Sequence, residues 1–188
     1  MSDLKFKAPE DYLPGEIIIP ASEIDKRLKE IAKKISKKYK NKKLLLVGLL
    51  KGSVWTLVDL MKYLHLFGLT DLEIDFVKVK SYKLGINATN DPEILNINLD
   101  KFKDRNILLI DDILDTGKTL KFVSQTLKES INSFESLVLL DKPSRREVKF
   151  AADYVGFTIP NIWVQGRGMD TDEIGRGDSN IIKGPFKY

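Results

Sequence analysis

NILLIDDILDTGKTL, residues 106–120, decides how this chain is read. Residues suited to a buried strand run straight into Asp111 and Asp112. A third acid, Asp115, follows, and then Thr-Gly-Lys-Thr opens a helix. The pattern predicts a strand that stops at Ile110, a loop, and a helix over residues 118–130. Thr116 and Gly117 let the backbone turn and point its N–H groups outward. The helix start adds unpaired N–H groups and partial positive charge, and Thr116 and Thr119 add hydroxyl donors. Together they form an anion site suited to phosphate. The competing motif is the nucleotide-binding GxxxxGK[ST], whose second half matches Gly117-Lys118-Thr119. Its first glycine would fall at Asp112, where an acid repels a triphosphate and removes backbone freedom. The acids need their own reason. Asp111 and Asp112 suit the vicinal hydroxyls of a ribose, or a magnesium ion and its waters. Asp115, inside the loop, is placed to act as a general acid or base. A ribose 5-phosphate satisfies every part, against the plainer alternative of a solvated turn with acids near a helix start.

Outward from that loop, strand and helix patterns alternate. LLLVGLL, residues 44–50, is a near-continuous apolar run, expected to be a strand covered on both faces. Residues 54–67 read as a mostly buried helix, and residues 72–79 as a strand with Ile74 and Phe76 on one face and Val77 and Val79 on the other. Residues 136–140 read as a third buried strand. Residues 154–157 and 162–164 read as short strands among loops rich in Gly, Asp and Arg. Ser22 with Asp25 resembles a capping box, and Ile24, Leu28, Ile31, Ile35 and Tyr39 then recur along one helix face. Residues 81–91, SYKLGINATND, carry turn chemistry and little to bury, so a mobile loop is expected. The alternation argues for a parallel twisted sheet flanked by helices, with ligands bound at the carboxyl ends of its strands.

The chain has 188 residues, 43% hydrophobic and 31% charged, which suits one domain with a substantial core. No apolar run approaches the ~20 residues that span a bilayer. The N-terminal stretch places acids and prolines where a signal peptide needs an apolar core. There is no cysteine, so disulfides and thiolate metal sites are excluded. A cytoplasmic protein with no membrane partner is expected. The net charge is +4, and much of the basic excess lies in residues 26–43, KRLKEIAKKISKKYKNKK. Its one aromatic residue, Tyr39, belongs to the apolar helix stripe and is not a base-stacking platform, so a solvated helix face is expected and no nucleic-acid partner. His65 lies between Leu64 and Leu66 on a helix and reads as structural.

Residues 106–120 resemble the 5-phosphoribosyl-1-pyrophosphate signature of the type I phosphoribosyltransferases. Other segments, in order, resemble the hypoxanthine-guanine branch of that family: Leu50-Lys51-Gly52, Ser81-Tyr82, Lys142 with Arg145 and Arg146, ADYVGFTIPNIWV at residues 152–164, and Gly168-Met169-Asp170 with Arg176. The resemblance runs from about Gly15 to the C-terminus. It implies one phosphoribosyltransferase domain over residues 1–188, with a core of about 15–142 and a hood from 1–14 and about 143–188. It also implies purine salvage. The phosphoribosyl group of 5-phosphoribosyl-1-pyrophosphate passes to N9 of a 6-oxopurine, giving IMP or GMP and pyrophosphate, with Mg2+ as cofactor and a homodimer or homotetramer as the assembly.

Carried over residue by residue, the resemblance assigns the 5′-phosphate to Thr116, Gly117, Lys118, Thr119 and the Asp115 backbone. It assigns the ribose hydroxyls, directly or through magnesium, to Asp111 and Asp112, and the acid/base at purine N7 to Asp115. Lys142 would donate to O6, Trp163 would stack on the base, and Val164 would offer its backbone to the Watson–Crick edge. Asp170 would coordinate magnesium, with Asp172 as the alternative. Lys51, Gly52 and Arg176 would bind pyrophosphate, with the Leu50–Lys51 peptide cis, and Ser81 and Tyr82 would close over the site. The chain departs from the family at Arg167, where many members carry an aromatic residue, at Gly175 and Gly177 around Arg176, and at Ser53 in place of a second glycine. Two other readings use the same fold. One is a regulatory sensor of phosphoribosyl pyrophosphate, for which no nucleic-acid-binding segment is spare. The other is a phosphoribosyltransferase for xanthine, or for a pyrimidine or orotate. Lys142 and Trp163 favour a purine, and the choice among hypoxanthine, guanine and xanthine stays open.

Overall fold

Runs of Leu, Ile and Val place the centre of the sheet. The computed structural model describes residues 4–80, 93–95, 98–128 and 131–185. Strand β1 (Ile17–Ile19) leads into helix α1 (Ala21–Lys38), followed by β2 (Leu44–Leu50), α2 (Val54–Leu66), β3 (Leu72–Lys80) and β4 (Glu93–Leu95). Then come β5 (Asn106–Leu114), α3 (Lys118–Leu127), β6 (Ser133–Asp141), β7 (Tyr154–Thr158), β8 (Val164–Gln165) and β9 (Ile181–Lys183). The main sheet runs β4-β3-β2-β5-β6-β7, all parallel except β4 at the edge.

The pleat sorts the buried strand residues to two faces. Leu44, Leu46, Leu108 and Ile110 meet α1 and α2 through Ile24, Leu28, Ile31, Ile35, Leu57, Leu60 and Leu64. Leu45, Val47, Ile107 and Leu109 meet α3 through Leu120, Val123 and Leu127. Each such fully buried aliphatic side chain contributes about 2 kcal/mol. The lysines of α1 lie on its exposed side, opposite this stripe. Among the described residues no helix is long and apolar enough to cross a membrane.

Several expectations are corrected. Strand β5 does not stop at Ile110. Its pairing with β2 ends at Gly48↔Ile110, but β6 stays paired with it as far as Leu114↔Asp141. Asp111 and Asp112 therefore lie on a strand still held on one side and released on the other. Ser22 is no cap, because α1 begins at Ala21 after Pro20 with no side-chain cap bond. Helix α2 buries one face only, leaving Val54, Val58 and Leu66 exposed. The Ile74/Phe76 face of β3 is likewise exposed while Val77 is buried. Helix α3 ends at Leu127.

A second, antiparallel sheet of order β1-β9-β8 stands beside the main one. Its first strand, β1, comes from residues expected in the core, while β7, expected in the hood, is the outer strand of the main sheet. The strand expected at residues 162–164 begins only at Val164 and continues to Gln165, so Ile162 and Trp163 precede it. Residues 81–91, including Ser81 and Tyr82, lie outside the described residues.

Candidate active site

Where β2 parts from β5, the acids of the central strand are left at a crevice, the expected ligand position of an open α/β sheet. Asp111 accepts a bond from the Asp112 N–H at 3.0 Å, and Asp112 accepts one from the Ile113 N–H at 2.9 Å. Burial, and then the Asp112 charge, hold the Asp111 carboxyl well above the usual carboxylate range. Burial raises Asp112 too, opposed by its bond with Asp111, by peptide N–H groups and by the charge of Arg176. Gly52, in the turn before α2, packs directly on this carboxylate. A Cβ on Gly52 would lie 1.8 Å from the Asp112 Oδ2. The peptide Leu50–Lys51 is cis.

Below the acids, Gly117 turns the chain into α3 at φ 84°. Leu114, Asp115, Thr116, Gly117, Thr119 and the two acids line a cavity of about 230 Å³. Lys118 contributes its main-chain N–H, 3.4 Å from the Thr116 hydroxyl oxygen, while its ammonium pairs with Glu147 away from the cavity. The loop is braced from behind by two residues whose roles the sequence reading left open. Arg146 donates to the carbonyls of Leu114 and Asp115 and pairs with Asp141, and Arg145 Nε donates to Asp115 Oδ1 at 3.0 Å. Their only sequence signal was two arginines soon after Lys142-Pro143.

A second cavity of about 170 Å³ adjoins the first. It is lined by Asp112, Ile113, Asp115, Lys142, Trp163, Val164, Met169 and Asp170. Lys142 is buried, and burial pulls its ammonium down to about 8 against the opposing charge of Asp115. The indole N–H of Trp163 donates to the Thr171 hydroxyl at 2.6 Å. A half-buried tryptophan needs such a partner, but nothing in the sequence pointed to Thr171. Asp170 lines the cavity, whereas Asp172 is exposed and does not.

Lys51, Gly52 and Arg176 sit beside these cavities without lining them. Arg176 lies 2.9 Å from Asp170 Oδ1 and donates to the Gly168 carbonyl at 2.7 Å. Glu173 Oε2 accepts from Lys51 at 2.8 Å and from Arg176 at 3.0 Å, so one carboxylate spans both cations. His65 is exposed in the last turn of α2, far along the helix from this loop.

Magnesium is commonly held by one or two carboxylates together with substrate phosphates. Asp112 and Asp170 face one cavity, and among the described residues no cluster of three His, Cys, Asp or Glu forms an all-protein cage. The donor set fits an ion that shares its ligands with a phosphorylated substrate.

The family model for the phosphoribosyl transferase domain matches residues 19–172. The hypoxanthine-guanine phosphoribosyltransferase of Staphylococcus aureus is 38% identical over 162 residues, which is 86% of this chain and 88% of that protein. A crystal structure of hypoxanthine phosphoribosyltransferase from the same species superposes with a TM-score of 0.81 at 37% identity, covering 89% of this chain and 90% of the other. The Trypanosoma cruzi hypoxanthine phosphoribosyltransferase in complex with the product IMP gives 0.82 at 33% identity, covering 93% and 97%. Crevice, Asp-Thr-Gly-Lys-Thr loop and sequence likeness agree: the chain belongs to the hypoxanthine-guanine phosphoribosyltransferase family.

Proposed function

We infer that the chain is a purine-salvage transferase that moves the phosphoribosyl group of 5-phosphoribosyl-1-pyrophosphate to N9 of hypoxanthine or guanine. IMP or GMP and pyrophosphate are the products. One observation carries the reading. The cavity under the Thr116–Thr119 loop and the aromatic-walled cavity share Asp112, Ile113 and Asp115, so a sugar phosphate in the first would place its anomeric carbon at the mouth of the second.

On this reading the labour divides among the residues as follows. Main-chain N–H groups from residues 115–119 and the Thr116 and Thr119 hydroxyls receive the 5′-phosphate. The purine lies between Ile113 and Trp163, with Val164 along its edge and Lys142 at O6. Adenine presents a donor where Lys142 also donates, and is rejected. As N9 bonds to the anomeric carbon, the bond to pyrophosphate breaks and the N7 proton passes to Asp115. Arg145 holds one oxygen of that carboxylate, which leaves the other for the proton.

Lys51 and Arg176 meet the charge that builds on the departing diphosphate. Asp112 and Asp170 would hold magnesium, which when bound neutralises part of that charge. The acids Asp111 and Asp112 orient the ribose hydroxyls. The assay that tests this supplies the protein with phosphoribosyl pyrophosphate, magnesium and one base at a time, and follows nucleotide formation. Turnover of hypoxanthine or guanine and none of adenine is expected. Turnover of orotate or xanthine alone would overturn the substrate assignment.

A further inference from the structure

Arg167 is among the most deeply buried charged side chains of the described residues, 4% exposed, yet it lies in a surface loop. It sits between Gly166 and Gly168, and all three residues have positive φ, at 93°, 53° and 97°. A non-glycine residue keeps that conformation only where its surroundings hold it. The holding contacts are on other elements. The guanidinium lies over the ring of Trp55, 5.4 Å from its centroid. Nη2 is 2.8 Å from Asp59 Oδ2 and 3.9 Å from Asp25 Oδ1. The main-chain N–H donates to the Asp178 carbonyl at 2.8 Å.

Trp55 and Asp59 are four residues apart on the first two turns of α2, so they share one face. Lys51 and Gly52 immediately precede that helix. On the loop side, Arg167 is three residues from Asp170 and nine from Arg176. The two loops also touch directly, since a Cβ on Gly168 would lie 2.1 Å from the Gly52 carbonyl oxygen.

Stability alone gives no reason for the arginine. Its Nε and Nη2 find no well-aligned hydrogen-bond acceptor among the described residues. A buried ion pair is often matched or bettered by apolar side chains of similar volume. What an apolar residue cannot supply is charge attraction to two acids together with a cation–aromatic contact.

We propose that Arg167 is a positioning residue that ties the loop bearing Asp170 and Arg176 to the start of α2, and so sets the spacing of the two halves of the pyrophosphate site. The inference rests on the reading of residues 166–178 as the metal and pyrophosphate element. It differs from a fold-stabilising role in what it predicts. Disturbing the tie affects ligands that carry the diphosphate and spares those that do not.

The test compares Arg167→Met, Arg167→Lys and the double variant Arg167→Met/Asp59→Asn, which leaves no lone buried charge. For each, KM for phosphoribosyl pyrophosphate, inhibition by pyrophosphate, KM for the purine, affinity for IMP and Tm are measured. The first two constants should weaken about tenfold in the Met variants and less in Arg167→Lys, a size expected when a positioned group drifts by under an ångström. Purine KM and IMP affinity should stay within about twofold.

Equal weakening of all ligands, or a lowered Tm with unchanged constants, overturns the proposal. Asp170→Asn separates the two levels. If it raises KM for phosphoribosyl pyrophosphate while the Arg167 variants do not, the tie is wrong and the loop reading stands. If Asp170→Asn has no effect, the loop reading fails and takes the tie with it.

Discussion

Between Leu114 and Lys118 the chain passes from β5 into α3 with one left-handed residue, Gly117. Between Gly166 and Gly175 it holds six: Gly166, Arg167, Gly168, Asp172, Glu173 and Gly175. The first loop is short and follows a strand whose register is fixed by β2 and β6. The groups it would offer a phosphate are largely main-chain, although Arg145 and Arg146 brace it from behind. The second loop has two isolated bridges, Gly166↔Met169 and Thr171↔Ile174, and depends on side chains from elsewhere: Glu173 to Lys51, Arg167 to Asp59, Thr171 to Trp163. A cradle made of backbone should hold its ligand when a side chain is altered. A loop held by remote side chains should fail in pieces.

The sharpest test lies on the cradle side. Asp115→Asn keeps the main-chain N–H groups and the size of the side chain but cannot accept a proton in the same way. Turnover should fall about 10²–10⁴-fold, the usual worth of a positioned acid or base. IMP should bind nearly as well as before, since its phosphate meets the backbone. Calorimetry beside single-turnover kinetics separates the two. Unchanged turnover would remove Asp115 from the proton transfer. Equal loss of binding would break the contrast itself.

On the other side, Gly168→Ala puts a methyl group into the Gly52 carbonyl, at a φ that suits glycine. The clash is with backbone, so nothing can rotate away. The loops of Gly52 and Gly168 must part, and if they bind the pyrophosphate as proposed, kcat/KM for phosphoribosyl pyrophosphate should drop about 10²-fold. IMP affinity should be nearly kept. A uniform loss across ligands would mean that the loop and the cradle are one rigid unit.

The same contrast explains what could be read in advance. Strands 44–50 and 107–110, the face of α1 and the residues 111–119 are local patterns, so apolar runs, 3.6-residue spacing and the Asp-Thr-Gly-Lys-Thr series expose them. The end of β5 was misplaced because a strand persists while one neighbour still pairs, and Asp111 and Asp112 look like loop residues by composition. Which strands sit in which sheet was hidden for a related reason. β1 and β7 are short, and only partners about 165 and 20 residues away in sequence decide their place. The braces were least legible. Arg145 and Arg146 on Asp115, Thr171 on Trp163 and Arg167 on Asp59 are long-range side-chain contacts with no local signature.

Lys142 joins the two regions, and its titration gives an intermediate effect. Burial lowers its ammonium from 10.5 to about 8. Below about 8 the folded protein carries the charge that, under the proposed function, donates to O6, and above it that charge is lost. The purine kcat/KM should therefore decline as pH rises through about 8, by about tenfold per unit once neutral lysine predominates. The guanidinium introduced by Lys142→Arg does not titrate in this range, so any decline that survives the substitution belongs to another group. Stability has the opposite sign. A depressed lysine penalises the folded state fully below about pH 8, and the penalty fades as pH rises to 10.5. Lys142→Met should thus gain up to about 3 kcal/mol at pH 7 while losing 6-oxopurine turnover. Urea melts at pH 7 and pH 10 check the sign, because the gain should shrink at the higher pH.

The smallest expected effect probes the seam where the loop after β8 meets the cavity proposed for the purine. Thr171→Val keeps the volume and removes the hydroxyl that accepts from Trp163. A neutral bond of this kind is worth about 1 kcal/mol net, which corresponds to about fivefold in purine KM if the indole must stay fixed to stack. Trp163→Phe also lacks the donor, so adding Thr171→Val to it should cost little more. Double-mutant coupling near the full single-mutant value would show that Thr171 acts through the indole orientation. Additive losses would mean that Thr171 supports the loop carrying Asp170 directly. In that case the purine cavity and the pyrophosphate loop share their support, and KM for phosphoribosyl pyrophosphate should rise together with that for the purine.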